Sequence, residues 1–428
     1  MSETTRPTSL WQRFALSLDD GRTGVTKSPW FTMNVVVELT GPLDVRVLSD
    51  AFDDLLRRHD ILRTRLDDDG PEPVQVISSR ATSIEAVDEQ EVLSTTGWTH
   101  APVEYGDLSP VRLRLARRSH DEHVFSVHVH HMMADPVTMW NVLSELAALY
   151  SARLCGEPAP PAPAAQYWEY AMAEAAGIRD GRAQAERWWD GVLGGVRVCS
   201  VAQSAAGPPF AYREQIMSAK ELSAVERLSR ANRTTVFSLL AAGLACGMAP
   251  YLDSGATLLF STIFSRRNRP EWRRMIGPCI VPSYLAIPRP ADRLSREYAD
   301  SVRDSMIGCH RNSLVPTKEV ASMNSFFGRE RTDLPFFEYI PQAWPVDLEF
   351  GPTRGRVVNA AGSRDTGRAR YLGLRARKTN DGVLAGHVSG DGIGWTESST
   401  RDAYRAMAGQ LMAFGGVDDL SPAGPPPR

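Results

Sequence analysis

The chain has 428 residues, 43% hydrophobic and 23% charged, and its 48 Lys plus Arg against 51 Asp plus Glu leave a net charge of -3. That composition suits a globular protein with a sizeable core and excludes a disordered or collagen-like chain. The balanced charge offers no basic footprint for nucleic acid and no polybasic membrane anchor.

No apolar run approaches the ~18 residues of a membrane span. The opening MSETTRPTSLW lacks the basic-then-apolar pattern of a secretory leader. Cysteines at 155, 199, 246, 279 and 309 form no C-x-x-C pair, so a cytoplasmic protein with reduced thiols and no structural zinc is expected.

In chain order, Leu10 to Leu18 can begin a helix, and the β-branched run Trp30 to Leu39 reads as a strand. Val45, Leu48, Ala51, Phe52, Leu55 and Leu56 recur at helical spacing, which predicts an amphipathic helix ending near Arg58 and His59. Val74 to Ile77 and Val111 to Ala116 read as further strands. Val124 to His131 alternates by two, with Phe125, Val127, Val129 and His131 on one face and Ser126, His128 and His130 on the other. A helix follows from about Val137 to Ser151, then a stiff Pro-rich connection, Glu157 to Pro163. Helical character returns over Gln166 to Ala176 and over Ala183 to Leu193. The poorly patterned Gly194 to Pro209 is the expected interdomain crossing.

The second half reads as a strand near Tyr212 to Met217 and helices around Leu222 to Ala231 and Val236 to Met248. Strands are expected at Thr257 to Phe264, Ile280 to Ile287 and Pro335 to Tyr339, and a last helix at about Ser399 to Phe414. Strands and helices mixed in both halves predict an α/β (α+β) protein of two lobes, at 1–195 and 196–420. The tail 421–428, SPAGPPPR, is expected to be disordered.

Chemistry concentrates at the end of the alternating strand. Asp135 is placed to cap the following helix and Pro136 suits its first position, so the histidines could simply be satisfied groups at a strand end. The functional alternative is a general base at a strand terminus. H-E-x-x-H is absent and no Cys is near, which argues against a metal. No G-x-S-x-G elbow, phosphate loop or dinucleotide fingerprint is present.

His130-His131-Met132-Met133-Ala134-Asp135 resembles the H-H-x-x-x-D-G motif of nonribosomal peptide synthetase condensation domains and related carrier- or coenzyme-A-dependent acyltransferases. Arg58-His59-Asp60-Ile61-Leu62-Arg63-Thr64 resembles the family's R-H-x-x-L-R-T segment. Arg267-Asn268-Arg269-Pro270 with Ile276-Gly277-Pro278 resembles its G-R-x-R-P…I-G-x-x-x-N-T region, and Ser9 and Gln12 its opening S-x-x-Q. Leu384 to Phe414 is similar to the family's ending.

The resemblance implies two chloramphenicol-acetyltransferase-like lobes in a V-shaped pseudo-dimer with a central tunnel. It implies His131 as the catalytic residue, with His130 and Asp135 structural and Asp135 paired to Arg267. No cofactor would be bound. The phosphopantetheine arm of an acyl or peptidyl carrier protein in trans, or CoA, would deliver an acyl thioester to a small-molecule amine or alcohol acceptor.

The pattern is broken at three places: Pro136 stands for the motif's Gly, Arg266 for the Gly before Arg267, and Val281 where Asn is frequent. Proline has no N–H to offer a substrate oxygen. Pro136, Thr138 and Val281 are candidates for lining the tunnel.

Arg364, Arg368, Arg370, Arg375, Arg377 and Lys378 crowd a stretch holding one acid, Asp365. They form either a solvated face or a landing site for a carrier or its phosphopantetheine phosphate, with Arg364, Arg368, Arg370 and Arg375 as candidate contacts. No adenylation region and no L-G-G-x-S attachment site is found, so a free-standing condensation enzyme of natural-product biosynthesis is expected. The rivals are an acyl-CoA-dependent acyltransferase and a catalytically silent recruitment domain, which Pro136 favours. An epimerase-like reaction needs a second base that the sequence does not identify.

Overall fold

A computed structural model describes residues 4–18, 26, 31–78, 83–93, 110–200, 207–328, 334–341, 347–358, 372–392 and 394–416. The chain forms two compact units. One holds Met1–Asp180, Ser265–Val281 and Pro345–Arg364, the other Gly181–Phe264, Pro282–Trp344 and Asp365–Arg428.

A single cut at 195 therefore does not describe the division, because two later segments return to the first unit. The division after Asp180 falls before the expected crossing at 194–209; where that stretch is described, Val198 bridges to Thr257 and the Cys199 N–H donates to the Thr257 carbonyl at 2.7 Å, within the second unit. Residues 421–428 lie outside the described residues.

In the first unit, β1 (Thr4–Pro7), β3 (Thr64–Asp67) and β4 (Val74–Ile77) form a small sheet in the order β1-β4-β3. The main sheet comprises β2 (Thr32–Thr40), β5 (Glu85–Ala86), β6 (Val111–Arg117), β7 (Glu122–His130), β12 (Asp347–Phe350) and β13 (Thr353–Val358), in the order β12-β13-β2-β7-β6-β5. The β12–β13 hairpin, far downstream of the rest in sequence, joins through β13, with Val358 opposite Val36. A hairpin strand has the same two-residue period whichever sheet it completes, so its destination is not visible locally.

Helices α2 (Val45–Arg58) and α4 (Pro136–Cys155) cover one face, where Phe125 and Tyr150 meet Phe350 edge-on at 5.8 and 5.9 Å. On the other face, Val36, Ala116 and Val124 pack against Val92 of α3 (Glu89–Leu93). Both faces of β7 are thus covered, and every residue from His123 to His130 is buried despite the polar alternation.

The second unit has a sheet ordered β10-β9-β11-β14-β15-β8: Ile280–Pro288, Thr257–Ser265, Phe336–Ile340, Leu372–Lys378, Leu384–Gly390 and Phe210–Met217. Its central helix, Val236–Met248, is apolar on nearly all sides and packs against the last helix, Glu397–Phe414. The crossing needs glycine, since a Cβ on Gly247 would lie 2.3 Å from the Ala403 carbonyl oxygen.

The sequence suggested two helices between 166 and 193. One helix, α5 (Tyr167–Leu193), runs through Gly177 and Gly181 instead. Each glycine costs about 1 kcal/mol relative to alanine, which buried Tyr167, Tyr170, Ala171, Trp189 and Leu193 on either side offset.

Candidate active site

The central strand β7 ends at His130, and one further ladder step holds His131, whose N–H donates to the Phe31 carbonyl at 2.7 Å. The partly buried His131 ring places Nδ1 2.8 Å from the Ala134 carbonyl oxygen. A carbonyl only accepts, so Nδ1 carries the proton and Nε2 carries the basic lone pair of the neutral ring.

Its neighbour has the opposite tautomer. His130 Nδ1 accepts the Met132 N–H at 3.2 Å, and its Nε2–H donates to the Thr26 carbonyl at 2.8 Å. Both nitrogens of His130 serve backbone groups. Burial lowers its pKa to about 4, with the Thr26 carbonyl opposing and His131 adding to the shift. Of the two adjacent imidazoles, only the His131 ring is tautomerically set up to accept a proton from a substrate.

Helix α4 begins where the sequence places it: Asp135 is the N-cap, accepting from the Thr138 N–H at 2.7 Å, and Pro136 occupies the first turn. Asp135 is also locked from 132 residues away. Arg267 Nη2 lies 2.8 and 2.9 Å from its two carboxylate oxygens, and Arg267 Nη1 donates to the Trp272 and Met275 carbonyls. Burial works against the guanidinium charge, but Asp135 outweighs it and holds the Arg267 pKa above its ordinary range.

The Thr138 hydroxyl closes the lock. It contacts Asp135 Oδ1 and the Gly277 carbonyl, both at 2.8 Å, and accepts the Gly277 N–H at 3.1 Å. Thr138 is therefore committed to the Asp135–Arg267 junction rather than turned toward a substrate. Val281 is likewise covered by protein, so neither side chain lines an accessible channel. Pro136 remains partly exposed beside the motif.

Gly277 fits here because its φ is +139° and a Cβ would come within 2.2 Å of the Tyr167 ring.

The family model described as Condensation domain matches residues 25–324, more than half of the chain. The chain belongs to the condensation-domain family.

Among curated relatives, it is 28% identical over 284 residues to tyrocidine synthase 2 of Brevibacillus parabrevis, a match covering 64% of this chain and 8% of that protein. It is 25% identical over 315 residues to the isonitrile lipopeptide synthase of Mycobacterium tuberculosis, covering 68% and 12% respectively. The chain thus spans about a tenth of these relatives.

Two solved structures share the fold. The X-domain in the complex of the X-domain and OxyB from teicoplanin biosynthesis superposes with a TM-score of 0.74 at 20% identity, covering 96% of this chain and 93% of that one. The first condensation domain of the calcium-dependent antibiotic synthetase gives 0.71 at 16% identity, covering 98% and 99%. Their fold is the chloramphenicol-acetyltransferase-like fold of the family.

In this condensation domain the other matched motifs are supports. Ser9 and Gln12 make a capping box on α1 (Leu10–Ser17), and the Gln12 amide also reaches the Met132 carbonyl at 3.3 Å. Trp11 donates its indole N–H to the His131 carbonyl at 2.9 Å.

Two acids with no signal in the sequence complete the frame. Glu145 on α4 accepts from Arg58 at 2.6 Å and His59 at 2.8 Å; burial raises its pKa, but those partners bring it below the ordinary carboxylate range. Buried Glu174 on α5 accepts the Leu10 N–H and the Tyr170 hydroxyl, and burial raises its pKa. Either acid is recognisable only once the helices are packed.

The basic stretch gives less. Arg364, Arg368 and Arg370 lie outside the described residues. Arg375 is committed to the adjacent strand, 3.1 Å from Glu338 and over the Phe336 ring, so its charge is already partly used. Among the described residues no three His, Cys, Asp or Glu side chains converge as metal ligands.

Proposed function

We propose that this chain is a condensation enzyme joining a carrier-bound acyl or aminoacyl thioester to an amine or hydroxyl acceptor in natural-product biosynthesis. The observation that carries the proposal is the His131 tautomer: Nδ1–H is held by Ala134, which leaves Nε2 as the proton-accepting atom. As the acceptor nitrogen or oxygen attacks the thioester carbon, Nε2 takes its proton. The tetrahedral adduct then expels the phosphopantetheine thiolate, which receives that proton. An amide or ester forms, a thioester breaks, and a free thiol is released.

Aligning two bound reactants is worth an effective molarity of about 10⁵ M or more, and one positioned base adds about 10²–10⁴-fold. His130, Asp135 and Arg267 hold the motif in shape. A carrier protein in trans is the donor we favour, with acyl-CoA as the alternative; either brings the thioester as substrate, and no bound cofactor takes part.

Pro136 supports a second reading. With no N–H at this position, the site lacks one possible oxyanion donor, as expected of a silent domain that recruits another enzyme to a carrier-bound chain.

Intact-protein mass spectrometry of an acyl-loaded carrier, mixed with amines or alcohols and either native protein or His131→Ala, decides between them. Offloading to an amide or ester by the native protein, at least about hundredfold faster than by His131→Ala, is the expected result. A carrier that stays loaded while still binding both proteins favours recruitment over transfer. Saturation by acyl-CoA without a carrier identifies the CoA donor.

A further inference from the structure

We propose that Trp11 is the positioning residue for His131 and that its ring, with Phe31, keeps water from replacing the acceptor. The inference deepens, and rests on, the reading of His131 as the base. Three bonds fix the polar groups of His131: its N–H to Phe31, its carbonyl to the Trp11 indole, and its Nδ1–H to Ala134. The Nδ1–H bond restrains the swing of the imidazole about its side-chain bonds, and two aromatic rings limit it further. The Trp11 and Phe31 centroids lie 5.0 and 5.2 Å from that of His131, tilted by 47° and 41°. Those two rings are themselves nearly parallel, at 6° and 6.4 Å.

Trp11 is a rigid support because the helix bearing it is held from several sides. Ser9 and Gln12 cap it, Gln12 ties it to Met132, and Glu174 accepts its first N–H. Only 4% of Trp11 and 9% of Phe31 is exposed.

The chemistry gives this packing a consequence. A base that takes a proton from an attacking amine can also take one from an attacking water, and water attack converts the thioester to a carboxylic acid and the same free thiol. An imidazole packed on two apolar rings presents hydrocarbon where an ordered water would need polar partners. The indole N–H therefore governs the rate, and the ring governs the partition between transfer and hydrolysis.

The test uses the full chain with Trp11→Phe and Trp11→Leu, an acyl-loaded carrier and a saturating amine. Trp11→Phe keeps a ring and loses the N–H; its kcat should fall about tenfold with the acceptor KM within about twofold of native. Trp11→Leu removes the aromatic wall, and the share of free acid should rise at least about fivefold. Histidine ¹⁵N spectra should show one Nδ1–H tautomer at His131 in the native protein and a mixture in Trp11→Leu.

Native kcat, native acid share and a native ¹⁵N pattern in both variants overturn the proposal. If Trp11→Leu loses its native circular dichroism, Trp11→Phe decides alone, through kcat. Should the native protein transfer no acyl group at all, the condensation reading fails, while the ¹⁵N comparison still decides whether Trp11 positions His131.

Discussion

Replacing Arg267 by alanine removes the donor that makes Asp135 tolerable in the interior. Asp135 is 1% exposed; without Arg267 its Oδ1 keeps the Thr138 N–H and hydroxyl, and its Oδ2 loses the one donor recorded for it among the described residues. The Trp272, Met275 and Gly277 carbonyls lose a donor as well. Stranding one member of a buried pair costs about 3–5 kcal/mol, so the urea midpoint should drop by that equivalent and the Tm by roughly 6–20 °C for a unit of about 200 residues. In an Asp135→Asn background no charge is stranded, and the same substitution should cost less by about 1.5–3 kcal/mol. A loss below about 1 kcal/mol for Arg267→Ala in the native background, or full additivity in the double variant, would refute the claim that the pair is buried and coupled.

Acid should destabilise the fold through two imidazoles. Burial lowers His128 to about 4, with Arg114 and Arg112 adding to the shift, and burial likewise lowers His130 to about 4. The unfolded chain protonates first, so stability is full above about pH 6.5 and declines as pH falls toward 4, by up to about 3 kcal/mol for each histidine. Urea midpoints at pH 7 and pH 4.5 measure this, and His128→Gln should flatten the slope; no slope in the native protein contradicts the burial argument. Gly277→Ala should cost about 3 kcal/mol or more, seen as a lower Tm, because the Cβ meets Tyr167 and the φ of +139° disfavours a side chain. Pro136→Ala restores an amide N–H at the start of α4, and in the offloading assay it should raise acyl transfer about tenfold. An unchanged rate would mean that this amide gives the oxyanion no stabilisation.

The residues around His131 show which features a sequence carries on its own. The period-two run of β7, the Asp135 cap and Pro136 at the start of α4 are encoded within a few neighbouring residues, and each appears in the structure where the pattern puts it. Arg267 was legible only through its likeness to a family motif; its spacing from Asp135 says nothing about contact. Thr138 is a tunnel-lining candidate by its place beside the motif, whereas its partner Gly277 lies 139 residues away and is not visible locally.

Packing alone decided the rest. Glu145 and Glu174 are ordinary helical acids until Arg58, His59 and the start of α1 are brought against them. The return of 265–281 and 345–364 to the first unit follows from which strand edge and which buried carboxylate were left to satisfy, a choice made by distant parts of the chain. Local patterns specify elements and caps, because dihedral preference and capping act over one turn; partners in a sheet or a buried ion pair are selected by tertiary structure, because the free energy that selects them exists only when both sides are present.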